Sequence, residues 1–162
     1  MAWDFESWGG VMENIIGNLL ENYTNQEPTR YRPRYGDKKL LEELLIGKRV
    51  KSVCKDKIIL EDGTIVTIEC SEQDCCAGVD GTFEFDRWNN DNLDAVITNI
   101  KIHEPIEVPD DDTHVMRNTI SVFNNQNVIA LANAEADAGN GGYYYSVASL
   151  VINEIHFPFV EA

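Results

Sequence analysis

The sequence predicts an α+β domain: a mainly antiparallel β-sheet or small barrel with two N-terminal helices. Three observations carry that expectation. Apolar residues recur at steps of three and four only before Gly47. Beyond it they alternate in short runs rich in Val and Ile, and turn residues rather than helix-length segments separate those runs. At 162 residues the chain has room for one domain with a real core plus an appendage, and too little for two ordinary domains.

The elements follow in order. From Asp4 to about Asn25, Phe5, Trp8, Met12, Ile15, Leu19 and Tyr23 form a stripe that Val11, Ile16 and Leu20 widen, so residues 1–26 read as an amphipathic helix. Asp4 or Ser7 could cap it, and Gly9, Gly10 and Gly17 weaken it enough that it needs a surface to pack on. Residues 27–36 hold Pro28 and Pro33, which forbid regular helix, and alternate Arg30, Arg32 and Arg34 with Tyr31 and Tyr35. They read as an extended basic arm. Asp37 is the N-cap of a second, short helix with Leu40, Leu41, Leu44 and Leu45 on one face and Gly47 as its stop.

Strands are expected at Arg49 to Cys54, Lys57 to Leu60 and Thr64 to Cys70, with Glu61-Asp62-Gly63 as a tight hairpin turn. More are expected at Thr82 to Phe85, Ala95 to His103, Val115 to Phe123, Val128 to Ala134, Tyr143 to Ile152 and Ile155 to Phe159. Asn124 to Asn127 reads as a hairpin loop, Gly139 to Gly142 as a flexible turn between strands, and Asn92 to Asp94 as a turn of helix.

Charge divides the chain. The net −15 comes from 13 Lys and Arg against 28 Asp and Glu. Up to Lys57 there are ten basic and nine acidic residues, after it three and nineteen, so residues 37–162 form an acidic domain behind a near-neutral front. An arm of Arg and Tyr can contact phosphates and stack on bases, but the acidic domain beside it repels a polyanion, which disfavours direct nucleic-acid binding. The arm is expected instead to lie along an acidic surface of its own chain or of a sister subunit. The longest apolar run is five residues, Val128 to Ala132, so no membrane partner is expected. Asp4 and Glu6 among Trp3, Phe5 and Trp8 do not make the cationic start of a secretory leader, and a cytosolic protein is expected.

Four cysteines, Cys54, Cys70, Cys75 and Cys76, are too few for a disulfide scaffold and are expected to be buried, reduced thiols. Cys70, Cys75 and Cys76 are weak candidates for a metal. Zinc wants four ligands from paired clusters, and neighbours in a strand would point to opposite faces. No metal or cofactor is therefore assigned. Asn90-Asp91-Asn92-Leu93-Asp94 fails the calcium-loop pattern at Ala95 and Lys101, and Asp110 to Asp112 reads as a solvated loop. No nucleophile elbow, phosphate loop or zinc-protease string occurs. If Tyr143-Tyr144-Tyr145 is a strand, one of its two faces presents aromatic surface, which tends to mark a contact site.

Leu45-Ile-Gly-Lys48, Asp62-Gly-Thr64, Gln73-Asp-Cys-Cys76 with Val79 behind it, Asn92-Leu-Asp94 and Asn140-Gly-Gly-Tyr-Tyr-Tyr-Ser146-Val147 occur in that order. The set, from about Leu44 to Ile152, resembles a widespread family of small proteins of unknown function encoded mainly by tailed bacteriophages and their prophages. That family's pattern is a Gly-Lys strand entry, an Asp-Gly turn, an Asp-Cys-Cys-Glu box and a late Asn-Gly-Tyr-Tyr-Ser segment. Here Ala77 stands where the acidic residue of the box would be, and the late segment carries an extra Gly and Tyr. The resemblance implies phage origin, and so a host cytoplasm or a virion, but no activity.

The resulting expectation is a non-enzymatic interaction protein, homo-oligomeric, that binds a host protein in host takeover or evasion of defence, with an acidic surface able to mimic DNA. The alternatives are a sponge for a nucleotide signal held in an oligomer cleft, and a capsid or tail accessory protein. Candidate binding residues are Trp3, Trp8, Arg30, Tyr31, Arg32, Arg34, Tyr35, Tyr143, Tyr144 and Tyr145. Asp74, Cys75, Cys76 and Gly63 are the candidate structural residues.

Overall fold

The computed structural model of the chain describes residues 32–85 and 94–162. The expected helix at 1–26, the arm as far as Tyr31, and the first two residues of the expected helical turn at 92–94 lie outside the described residues. The described compact unit is Pro33–Ala162.

Among the described residues there is one α-helix, α1 (Lys38–Leu45), where the sequence predicts a pair. Its start is the expected one: the Asp37 carboxylate accepts the Leu40 N–H at 2.8 Å. Leu41 and Leu45 are buried, Leu40 and Leu44 pack beside them, and Gly47 ends the turn at φ +82°.

Apart from a single 3-10 turn at Asn140–Gly142, the other elements among the described residues are strands: β1 (Arg34–Tyr35), β2 (Arg49–Cys54), β3 (Lys57–Leu60), β4 (Ile65–Gln73), β5 (Gly78–Glu84), β6 (Ala95–Val96), β7 (Asn99–Ile102), β8 (Ile106–Val108), β9 (Val115–Asn124), β10 (Asn127–Asp137), β11 (Ser146–Ile152) and β12 (Ile155–Glu161). They form two sheets rather than the small barrel that the sequence also allows. One has the order β1-β12-β11-β4-β3-β2-β6; the other is β5-β10-β9-β7, with β8 also paired to β9. Closure fails because the outermost strands do not pair with one another, and several are only two to four residues long.

Instead each sheet buries one face in a shared core. Val66, Leu150, Ile152 and Phe157 come from the first sheet, and Ile120, Val122 and Ala130, Ala132, Ala134 and Ala136 from the second. The alternating alanines of β10 are small enough to let the other sheet approach closely, and the burial of every second residue there is what a one-sided strand requires.

Pairing is antiparallel throughout except that β1 runs parallel to β12, with Arg34 opposite Ile155 and Tyr35 opposite His156. Arg34 and Tyr35, the described end of the basic arm, are thus an edge strand of the first sheet. The run expected as one strand from Ala95 to His103 is two, because the chain changes sheets at Ile97 and Thr98. The Ile97 N–H bonds to Lys48 in the first sheet and the Thr98 N–H to Phe123 in the second, each at 2.8 Å. Two further changes of sheet position the candidate site. The chain leaves the first sheet after β4 through residues 74–77 to enter β5, and returns from β10 to β11 through residues 138–145.

A candidate contact rim where two crossovers meet

Those two crossovers carry the Asp-Cys-Cys box and the late tyrosine segment, and they are bonded to each other. The Asp74 N–H donates to the Tyr145 carbonyl at 3.0 Å, and the Tyr145 N–H donates back to the Asp74 carboxylate at 3.3 Å. Gly139, with φ +71°, brings its backbone so close to the Cys76 carbonyl that an added Cβ would lie 2.3 Å from that oxygen. A third segment buttresses the pair. The Thr113 hydroxyl lies 2.6 Å from the Asp137 carboxylate and 2.5 Å from the Gly139 carbonyl, and the Gly141 N–H donates to the Asp112 carbonyl at 2.8 Å. The Asp110 to Asp112 loop is therefore a support for the tyrosine segment, with Asp110 capping its own Asp112 and Thr113 amides.

Underneath lies Ser146, fully buried. Its hydroxyl proton reaches the Gly78 carbonyl at 2.8 Å or the Asp137 carbonyl at 3.0 Å, and its oxygen accepts the Asp137 N–H at 3.1 Å. Its backbone exchanges hydrogen bonds with Ala162 at 3.0 and 3.2 Å. One serine thus ties together the start of β5, the end of β10, the start of β11 and the last residue of the chain. Nothing in the residue type flags it beyond its place at the end of the late segment.

Two expectations about this region do not hold. Tyr143, Tyr144 and Tyr145 are not strand: β11 begins only at Ser146, opposite Gln73, so the two-face alternation expected for them is absent. Tyr143 is 89% exposed, Tyr145 is exposed, and Tyr144 is half-buried. Cys75 and Cys76 are likewise not in a strand. They are the two middle residues of a turn closed by the Ala77 N–H on the Asp74 carbonyl at 3.2 Å. A turn does not alternate its side chains, and the two sulfurs lie 3.4 Å apart on one side. Both are exposed, as is Cys70, while Cys54 is partly buried; all four are free thiols. The expectation of buried thiols fails at three of four positions, because Cys75 and Cys76 sit on a crossover turn and Cys70 at an exposed position of β4.

Of the candidates in the expected first helix and the arm, Trp3, Trp8, Arg30 and Tyr31 lie outside the described residues, and Arg32 is the first described residue. Arg34 and Tyr35 form β1. The Tyr35 hydroxyl donates to one oxygen of Glu72, and the Tyr145 hydroxyl to the other at 3.3 Å, so the arm's last tyrosine and the late segment meet on one carboxylate. Glu72, which no sequence pattern singles out, is the link. The Tyr35 phenol is pushed up to about 12, first by the loss of water around its hydroxyl end and then by the Glu72 carboxylate, even though the residue as a whole is 44% exposed. The Tyr144 phenol is raised by the Cys76 and Cys75 sulfurs beside it, the Cys75 thiol by its hydrogen bond to Cys76, and the Cys70 thiol by burial.

Cys70 points its S–H toward the Glu72 carbonyl at 3.4 Å or the Gln73 side-chain oxygen at 3.3 Å. Among the described residues no group of three or more His, Cys, Asp or Glu is placed to hold a metal ion, and no helix is long and apolar enough to cross a membrane. Gly63, the remaining structural candidate, sits at φ +86° in the expected β3–β4 turn, where the Thr64 N–H donates to the Asp62 carboxylate at 3.0 Å. Lys48 reaches that carboxylate at 2.7 Å, and the two contacts hold Asp62 well below the usual carboxylate range.

Residues 43–151, about two-thirds of the chain, match the DUF7448 domain of unknown function, and the chain belongs to that family. Both crossovers fall inside the matched span. No curated protein and no solved structure matches the chain.

Proposed function

We propose that this chain is a non-enzymatic interaction protein of bacteriophage origin that binds a host protein, in host takeover or evasion of defence, and that the crossover rim is its contact surface. One observation carries the reading: two segments some seventy residues apart are locked together, and the product is a rigid rim with Tyr143 held out at 89% exposure rather than a lined cleft. A large aromatic held in water by a fixed backbone is the form that contact hot spots take. Phage origin rests on the ordered motifs, and the partner's chemistry on charge. Glu72 and Asp74 at the rim, within a segment of three basic and nineteen acidic residues, suit a basic protein surface. The nucleotide-sponge alternative fits less well, because the Glu72 carboxylate, bonded to Tyr35 and Tyr145, sets a negative charge beside the tyrosines and repels a phosphate there.

The test is capture from a bacterial host lysate on immobilised full-length chain, compared with Tyr143→Ala. The expected result is a discrete retained protein, lost with the variant and weakened as salt is raised. Equal capture by the variant removes the rim from the reading, and capture indifferent to salt removes the electrostatic, DNA-mimicking form of it.

A further inference from the structure

We infer that Cys75 and Cys76 are a modification site: a dithiol that low-molecular-weight disulfides oxidise reversibly to a disulfide between neighbouring residues. This inference goes beyond the interaction reading and does not depend on it, since it rests on the turn alone.

The sulfurs are 3.4 Å apart, and a disulfide bond is about 2.05 Å long, so closure asks each sulfur to move well under an ångström. Both thiols are exposed, so an oxidant can reach either one. The turn that carries them is fixed from both sides, by the Asp74 N–H on the Tyr145 carbonyl with the Tyr145 N–H on the Asp74 carboxylate, and by Gly139 packed on the Cys76 carbonyl. The second thiol is thereby held beside the first, which makes the closing step intramolecular and fast compared with a second encounter. Cys54 and Cys70 have no such neighbour: their S–H groups point to the Lys57 carbonyl, and to Glu72 and Gln73.

The chemistry balances. One cysteine thiolate attacks a sulfur of the small disulfide; that S–S bond breaks, and the first small thiol leaves and takes up a proton. The neighbouring sulfur then attacks the protein-bound sulfur of the mixed disulfide, a Cys–Cys bond forms, and the second small thiol leaves. The two S–H groups are oxidised by two electrons, and the small disulfide is reduced to two thiols. Adjacent Cα atoms are only about 3.8 Å apart across a trans peptide, closer than relaxed disulfides allow. The product is therefore strained and easily reduced, which is the behaviour of labile, regulatory disulfides rather than structural ones.

The experiment treats the reduced full-length chain with glutathione disulfide, maps the products by mass spectrometry of proteolytic fragments, and follows folding by circular dichroism. In the wild type and in Cys70→Ser, the fragment holding Cys75 and Cys76 should lose two hydrogens, keep no glutathione, and revert under excess reduced glutathione. Cys75→Ser should keep one glutathione on Cys76, and Cys76→Ser one on Cys75. Glutathione on both cysteines side by side, linkage of either to Cys70, or thiols left free in the folded chain would each overturn the inference.

Discussion

Two turns of this chain look alike in sequence and are held in opposite ways. Glu61-Asp62-Gly63 and Asp74-Cys75-Cys76 each follow a strand, and each carries an aspartate whose carboxylate accepts a backbone N–H. Asp62 is satisfied by its own turn, through the Thr64 N–H at 3.0 Å, and by Lys48, which stands just before β2, at 2.7 Å. Asp74 is satisfied by Tyr145, seventy-one residues away, and the far side of its turn rests on Gly139. The first turn joins two strands of one sheet, where ladder bonds on both flanks already fix the chain. The second carries the chain between sheets, where there is no ladder, so a distant segment must supply the bonds. A locally held turn can be changed at local cost, whereas a cross-held turn carries its neighbours with it.

The largest expected effect that separates the two comes from adding one methyl group to each. Gly139 has φ +71° and ψ −172°, a region open in practice only to glycine, and its new Cβ would meet the Cys76 carbonyl carbon and oxygen at 2.7 and 2.3 Å. Backbone cannot give way as a side-chain end can. Gly139→Ala should cost about 3 kcal/mol or more in denaturant unfolding. Gly63 has φ +86° with nothing within 4 Å of the position a Cβ would take, so Gly63→Ala should cost only the left-handed penalty of about 1–2 kcal/mol. Equal losses at the two glycines would mean that the second turn is no more cross-held than the first.

Next in size is Ser146→Ala. The hydroxyl is fully buried and bonds Gly78 and Asp137, so its removal takes a partner from partly buried backbone groups, at about 1–3 kcal/mol. The comparison sharpens if amide hydrogen exchange is followed as well. Loosening Ser146 frees the crossover ends, so exchange of the Asp74 N–H, bonded to the Tyr145 carbonyl, should quicken while that of the Glu61 N–H, bonded to the Arg49 carbonyl, stays unchanged. A parallel change at Glu61 would show general unfolding rather than a local release.

The same contrast explains how much the sequence discloses. The β2 and β3 boundaries, the Asp37 cap, the Asp62-Gly63 turn and the β9–β10 hairpin are all readable, because the residues that decide them lie within a few positions. Tyr143 to Tyr145 look like the start of a strand since aromatics favour strands, but a strand also needs an aligned partner, and pairing with β4 ends at Ser146 opposite Gln73. Cys75 and Cys76 lie between the strands the sequence predicts, and their side chains would alternate only if a strand ran through them. What makes them a turn is Tyr145 and Gly139, and no spacing in the sequence announces that. The site was legible as a set of residues in two motifs; that the motifs touch, and that Glu72 draws Tyr35 to Tyr145, depends on where the chain changes sheets.

The smallest effect belongs to the locally held turn. In Asp62→Asn the side-chain oxygen can still accept the Thr64 N–H, but the charge opposite Lys48 is gone. Because folding lowers the pKa of Asp62 from its ordinary 3.8, the unfolded chain binds that proton more readily than the folded one. Stability from this group is therefore complete above about pH 4 and is lost as pH falls toward the depressed folded value. Wild type should exceed the variant by a small margin at neutral pH, the margin should shrink on acidification below pH 4, and added salt should shrink it at any pH, since both partners are exposed. A margin that grows in acid would reverse the assigned sign. A margin as large as that of Ser146→Ala would mean that the Asp62 turn, too, holds something beyond itself.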